Sequence, residues 1–408
     1  MSAFSRESCL KQVDGHLQAF NSSLYATSGV TIASCCVCAA ASGIMHVRWR
    51  YLSEDQKKNI WSLYGRFTLL SFVSSCAGAV AWGARMQQLA YLVPASLDTV
   101  YSMNSKLSRS ESLSLFGKSF HWAAIYLVTY AIDFFSSSIA KLLVLSRLRR
   151  FAVPSALAAQ RRWAVCGRIV IALVIVGNTA SLIFSTVAAV YRDQVAKIYI
   201  DSSAAFAANQ TDLGIYLYKS SLPIFEQGTS AAAFQELLET IVLLLIITAF
   251  VAVGGMGARL LNSALRHLRN AQDVITVAGY GAGQAKNLAA AAGAAGKQLR
   301  WKIVTTVSVV FVTLLLRAVF AVFYSTANRL QNQSCSIVYV ACAPCWNQYA
   351  HMQFFFVTTP ELQLLINLVA TPLTLLVSLW GMTDVRALEL MSSNRQELEA
   401  LRVPSGRC

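Results

Sequence analysis

The sequence predicts an all-α integral membrane protein: a seven-helix transmembrane bundle with its N-terminus outside and its C-terminus in the cytosol. Three observations carry this. Apolar residues fall in blocks long enough to cross a bilayer, the basic residues crowd into alternate connecting segments, and the charged fraction is only 13%. A soluble domain carries about 25% charged residues, so this chain has too little charge to cover a water-facing surface.

The apolar blocks span 24–46, 67–92, 120–145, 169–191, 237–258, 303–325 and 361–381. Each is about 20 residues or slightly longer, the length that crosses a ~30 Å hydrocarbon core at ~1.5 Å per residue. They organise the chain into a short outer segment 1–23, a transmembrane domain 24–383 and a cytosolic tail 384–408. The tail spaces Val385, Leu388, Met391, Leu398 and Leu401 for an amphipathic helix on the membrane surface. The first 23 residues hold Arg6, Glu7, Lys11, Asp14 and His16 with no apolar core. No cleavable signal is therefore expected there, and the first span acts as the anchor.

Orientation follows from the placement of Lys and Arg. The segment between spans 1 and 2 carries Arg48, Arg50, Lys57, Lys58 and Arg66, and the segment 147–168 carries six arginines and no acid. The loop 259–302 is also basic and the tail adds four arginines, whereas Leu330–Glu361 holds neither Lys nor Arg. The net charge of +15 thus sets topology and does not point to nucleic acid. Three glycosylation sequons, at Asn21, Asn209 and Asn332, all fall outside in this arrangement, with Asn209 the best acceptor.

Ionisable residues inside the bilayer are expensive, at least ~2.5–3.5 kcal/mol at a helix centre. Asp133 in helix 3 and Arg317 in helix 6 are therefore the first candidates, at neighbouring depths, for an interacting pair that lines a ligand or ion site or locks two states. Arg85, His121, Glu236, Glu239 and Glu361 fall at the outer helix ends, where carboxylates suit helix N-termini and the group forms a candidate rim. Cys9, Cys335, Cys342 and Cys345 lie outside, where disulfides persist, and leave three connectivities open. Cys166 at the cytosolic border is a candidate for palmitoylation. Pro372 is expected to kink helix 7, and Ser71, Ser75, Ala79 and Gly83 recur every four residues as a close-packing stripe on helix 2. The outer loop 192–236 is expected to form a small lid.

No metal-binding or nucleophile motif appears in the membrane, no cofactor is indicated, and enzyme chemistry has no positive support. With an outside N-terminus, basic inner loops, Pro372 in helix 7 and an amphipathic tail, the chain resembles the seven-helix receptor superfamily in topology. That resemblance implies a receptor-like signalling protein. It would sense an external ligand and couple to a cytosolic protein through segments 147–168 and 259–302, with the plasma membrane favoured over an endomembrane. The alternatives are a transporter or channel using Asp133 and Arg317 in the membrane core, and a scaffold that recruits cytosolic partners.

Overall fold

The computed structural model describes residues 3–51, 62–100, 109–151, 157–277, 301 and 304–323. Within them the chain forms six long helices: α1 (Ala3–Arg50), α2 (Ser62–Val100), α3 (Arg109–Phe151), α4 (Leu157–Ala207), α5 (Thr211–Val277) and α6 (Val304–Phe323). All six contain a segment long and apolar enough to cross a membrane. The chain is thus a multi-pass helical protein suited to a lipid bilayer. The expected seventh span at 361–381, with Pro372 and Glu361, lies outside the described residues, as do Asn332, Cys335, Cys342, Cys345 and the tail.

Successive helices pack side by side in chain order, and α3 also touches α5. The degree of burial places them. Over its most apolar window α3 is 56% buried, whereas α1 and α4 are each 22% buried. α3 is accordingly the central helix, between α2 and α4, and α1 packs on α2. Their outward faces show why lipid is the right solvent. On α4, Ile169, Leu173, Val176, Ile183, Val187 and Val190 are all exposed and recur at alternating intervals of three, four and seven residues. That spacing keeps one helix face apolar from end to end, and water would not stabilise such a face. The inward faces meet in one core formed by Phe67 of α2, Phe134 of α3, Val174 of α4, Val242, Ile246 and Phe250 of α5, and Val310 and Leu314 of α6.

The helices are longer than the apolar blocks, and this corrects the expected lid. α4 has 51 residues, about 75 Å at 1.5 Å per residue, against a hydrocarbon core of ~30 Å. Segment 192–236 is helical nearly throughout, as the end of α4 and the beginning of α5, joined by a turn at Ala208, Asn209 and Gln210. The turn is closed by Gln210 N–H to Ala205 C=O at 2.9 Å, with Asn209 at φ 59°. Asn is among the few non-glycine residues that tolerate this left-handed conformation, so the sequence permits a tight reversal here. Asn209 is exposed at the tip of the hairpin. The N-terminal half of α3 rises alongside: Ser110 and Ser203 exchange hydrogen bonds, Arg109 lies 4.9 Å over the Phe206 ring, and Arg192 lies 4.2 Å over the Phe225 ring.

Segment 1–23 continues as helix into the first span, because α1 begins at Ala3. On α2 the buried face runs through Ser71, Ser74, Ser75, Gly78 and Ala81, not along the four-residue stripe to Ala79 and Gly83. At 3.6 residues per turn a strict four-residue repeat drifts around the helix by about 40° per step, so the far end of the stripe leaves the interface.

Candidate functional site

The central helix α3 presents Tyr130, Asp133, Ser137 and Lys141 at intervals of three or four residues, which places them on one face. All but Tyr130 are buried to 5% exposure or less, and Tyr130 points its hydroxyl into the same interior. From α5 comes Glu239 and from α6 Arg317, at 3% and 6% exposure. Two acidic and two basic side chains therefore share the interior of the bundle.

Their contacts divide the cluster. Arg317 donates to Glu239 Oε1 from Nε at 2.9 Å and from a terminal guanidinium nitrogen at 2.6 Å, and that second nitrogen also donates to the Tyr130 hydroxyl at 2.6 Å. Tyr130 in turn donates to Glu239 Oε1 at 3.0 Å. Gln235, one turn earlier on α5, donates to the other carboxylate oxygen at 3.1 Å. The guanidinium carbon lies 5.4 Å from the centre of the Tyr130 ring and 5.0 Å from that of Phe134. Ion pair, hydroxyl bridge, amide and two ring faces together satisfy charges that the bilayer cannot. This triad ties α3, α5 and α6 together.

Asp133 occupies a second subsite on this face, against α2. Ser74 of α2 donates a short hydrogen bond to its carboxylate. Gly78 makes room beside it: a Cβ there would lie 3.1 Å from Cys35 Sγ and 3.5 Å from the Asp133 carboxylate carbon. Asp133 also lies within electrostatic reach of Arg317 and Lys141. Lys141, two turns further along α3, is 1% exposed, and its Nζ has no hydrogen-bond partner among the described residues.

Measured against the sequence expectations, the site is partly rearranged. Asp133 and Arg317 both face the bundle interior, and the hydrogen-bonded ion-pair partner of Arg317 is Glu239. Glu239 was expected on an outer rim, at the start of a helix. It lies instead in mid-helix, because α5 begins at Thr211, and Glu236 is likewise mid-helix and half-buried. Arg85 is half-buried, donates to Gln88 at 2.6 Å and lies 5.6 Å from the Tyr126 ring, which tilts against Tyr130. It thus leads by ring contacts towards the triad. His121 sits apart, exposed and 2.9 Å from Asp193 of α4, which also pairs with Lys197 at 2.8 Å. Cys166 is an exposed free thiol. The side chains of Cys9 and Asn21 fall outside the description, although both positions are on α1.

Sequence reasoning passed over Tyr130, Gln235 and Lys141. A signal existed for two of them: Tyr130 and Lys141 share the Asp133 face, at three and eight residues from it. No group of three or more His, Cys, Asp and Glu side chains suited to a metal ion occurs among the described residues. No protein-family model, curated protein or solved structure matches the chain.

Proposed function

We propose that this protein moves an ion or a small charged solute across a membrane through the polar interior of α3, α5 and α6. It crosses seven times, with the N-terminus outside. The observation that carries the reading is the set of four ionisable side chains, Asp133, Lys141, Glu239 and Arg317, buried within the apolar spans. Intramembrane charges are costly and mark substrate and ion pathways or relays. The Glu239–Arg317–Tyr130 triad acts as the fixed joint of the bundle. Asp133, held by one serine hydroxyl, is the group free to exchange a partner during transport.

Asp133→Asn tests this directly, because the amide still accepts a hydrogen bond from Ser74 and keeps its volume. In proteoliposomes, flux should fall by roughly tenfold or more, the equivalent of about 1.4 kcal/mol on the barrier, while the melting temperature stays near wild type. Wild-type flux from the variant, or none from the parent, would sink the proposal.

The orientation rests on the basic residues of the connecting segments and has its own test. Asn209→Gln should remove a glycosidase-sensitive gel shift, because the exposed turn at Asn209 is then outside. An unglycosylated Asn209 combined with external cleavage of an epitope placed after Cys408 would reverse the topology.

A receptor-like role is the second reading. The extension of α3, α4 and α5 well past the thickness of a bilayer favours it, because it offers an outer surface for a ligand. Ligand-dependent signalling without solute flux would select it.

A further inference from the structure

The transport reading leaves one buried charge without a role. Lys141 is 1% exposed, and its Nζ lacks a hydrogen-bond partner among the described residues. Neither buried carboxylate is hydrogen-bonded to it. Glu239 receives Arg317, Tyr130 and Gln235, and Asp133 receives Ser74. Eight residues along α3 separate Asp133 from Lys141 by about 12 Å at the backbone. A helical side chain leans towards the helix N-terminus, so the ammonium leans towards Asp133 without reaching a hydrogen bond.

Asp133 and Glu239 lie within electrostatic reach of Lys141, but neither bonds to it. No Asp or Glu occurs between Asp273 and Glu361, so α6 brings no carboxylate and the seventh apolar stretch holds one only at its first residue. The surroundings point to a visiting anion. Ser138, one turn before Lys141 on α3, is fully buried, and its hydroxyl also lacks a partner among the described residues. That hydroxyl is a second donor for an acceptor lodged at this level. Beyond Lys141 the chain runs into Arg147, Arg149 and Arg150, and Arg161 and Arg162 open α4 on the same side. Clustered positive charge raises the local concentration of anions at such an entrance. The flanking residues Ala140 and Leu142 belong to the dense apolar core with Val174, Ile246 and Phe250, which limits the guest in size.

We infer that Lys141 is the docking point for a small, singly charged anion that enters from the arginine-rich end of the bundle. This rests on the transport reading and deepens it by naming the class of solute. The anion accepts hydrogen bonds from the Lys141 ammonium and the Ser138 hydroxyl. It gives the ammonium a directly bonded counter-ion, which no described residue supplies.

The test uses the full chain in lipid nanodiscs at constant ionic strength, with chloride or formate replacing a bulky sulfonate stepwise. The melting temperature of the wild type should rise saturably by a few degrees, as ligand linkage requires. Lys141→Met should melt at or above the wild type in sulfonate, because an unpaired buried charge has been replaced by an apolar chain of similar length. It should show no response to either anion, and Lys141→Gln provides the same readout if the first variant does not fold. A wild type indifferent to both anions, as a neutral Lys141 amine would make it, overturns the inference. So does a Lys141 variant that keeps the full response. Flux measured in parallel separates the two claims. An anion response that depends on Lys141, without flux, keeps the site and removes the transport reading. Cation flux from a protein blind to anions does the reverse.

Discussion

Arg317→Gln is expected to destabilise the protein by about 3–5 kcal/mol, the cost of removing one member of a well-desolvated ion pair. Glu239→Gln is expected to fall in the same range. Glu239 is 3% exposed and takes four hydrogen bonds, two of them from Arg317. Without the guanidinium, the carboxylate keeps Tyr130 and Gln235 but loses its countercharge. Without the carboxylate, Arg317 keeps the Tyr130 hydroxyl and two ring faces and remains a buried cation. Each single variant therefore removes one side of the ion pair, and the double variant removes both. Thermal melting in detergent should show large losses for both singles and partial recovery for Glu239→Gln/Arg317→Gln, because groups in contact are non-additive. Simple additivity would separate the two residues and dissolve the triad. Asp133→Asn combined with Arg317→Gln gives the contrast. With no hydrogen bond required between them, their coupling should be the weaker of the two.

The broad architecture was legible because one physical rule governs it. Backbone polar groups in lipid must be satisfied within the helix, so a run such as Ile241–Phe250 has a single workable conformation. Helix limits were not legible in the same way. An apolar block ends where lipid ends, but a helix ends only where its backbone is interrupted. Between Arg192 and Glu236 the one effective interruption is at Asn209. Pro223 sits inside α5 without ending it. Reading the change from apolar to mixed sequence as a helix end placed Glu239 on a rim and hid it from Arg317. Asp133 and Arg317 could be singled out because each stands alone in an apolar run. Lys141 was missed although it lies within the expected span 120–145, because a lysine a few residues before Arg147 reads as the start of a basic inner border. Its depth depends on how far neighbouring helices shield it, which no single helix encodes.

Gly117→Leu should separate α3 from α4 beyond the bilayer. A Cβ at Gly117 would lie 2.8 Å from Ile200 Cγ1 and 2.9 Å from the Ala196 carbonyl oxygen. A side chain at the first contact has some freedom to turn aside, but the second is backbone, so relief requires the helices themselves to move. Overpacking of this kind costs typically 1–3 kcal/mol, and the backbone contact puts Gly117→Leu at about the upper limit. The change should also loosen the adjoining contacts, where Ser110 bonds to Ser203 and Arg109 lies over Phe206. Hydrogen exchange in the portions of α3 and α4 nearest the Asn209 turn should then rise with little change in Val174–Val190. Gly83 is the control: a Cβ there meets nothing within 4 Å. Gly83→Ala should therefore be neutral or stabilising by up to about 1 kcal/mol through helix propensity. If both glycines tolerate substitution alike, α3 and α4 are not packed against each other at this level. The extension that ends at the Asn209 turn would then lack the third helix that gives it a rigid surface.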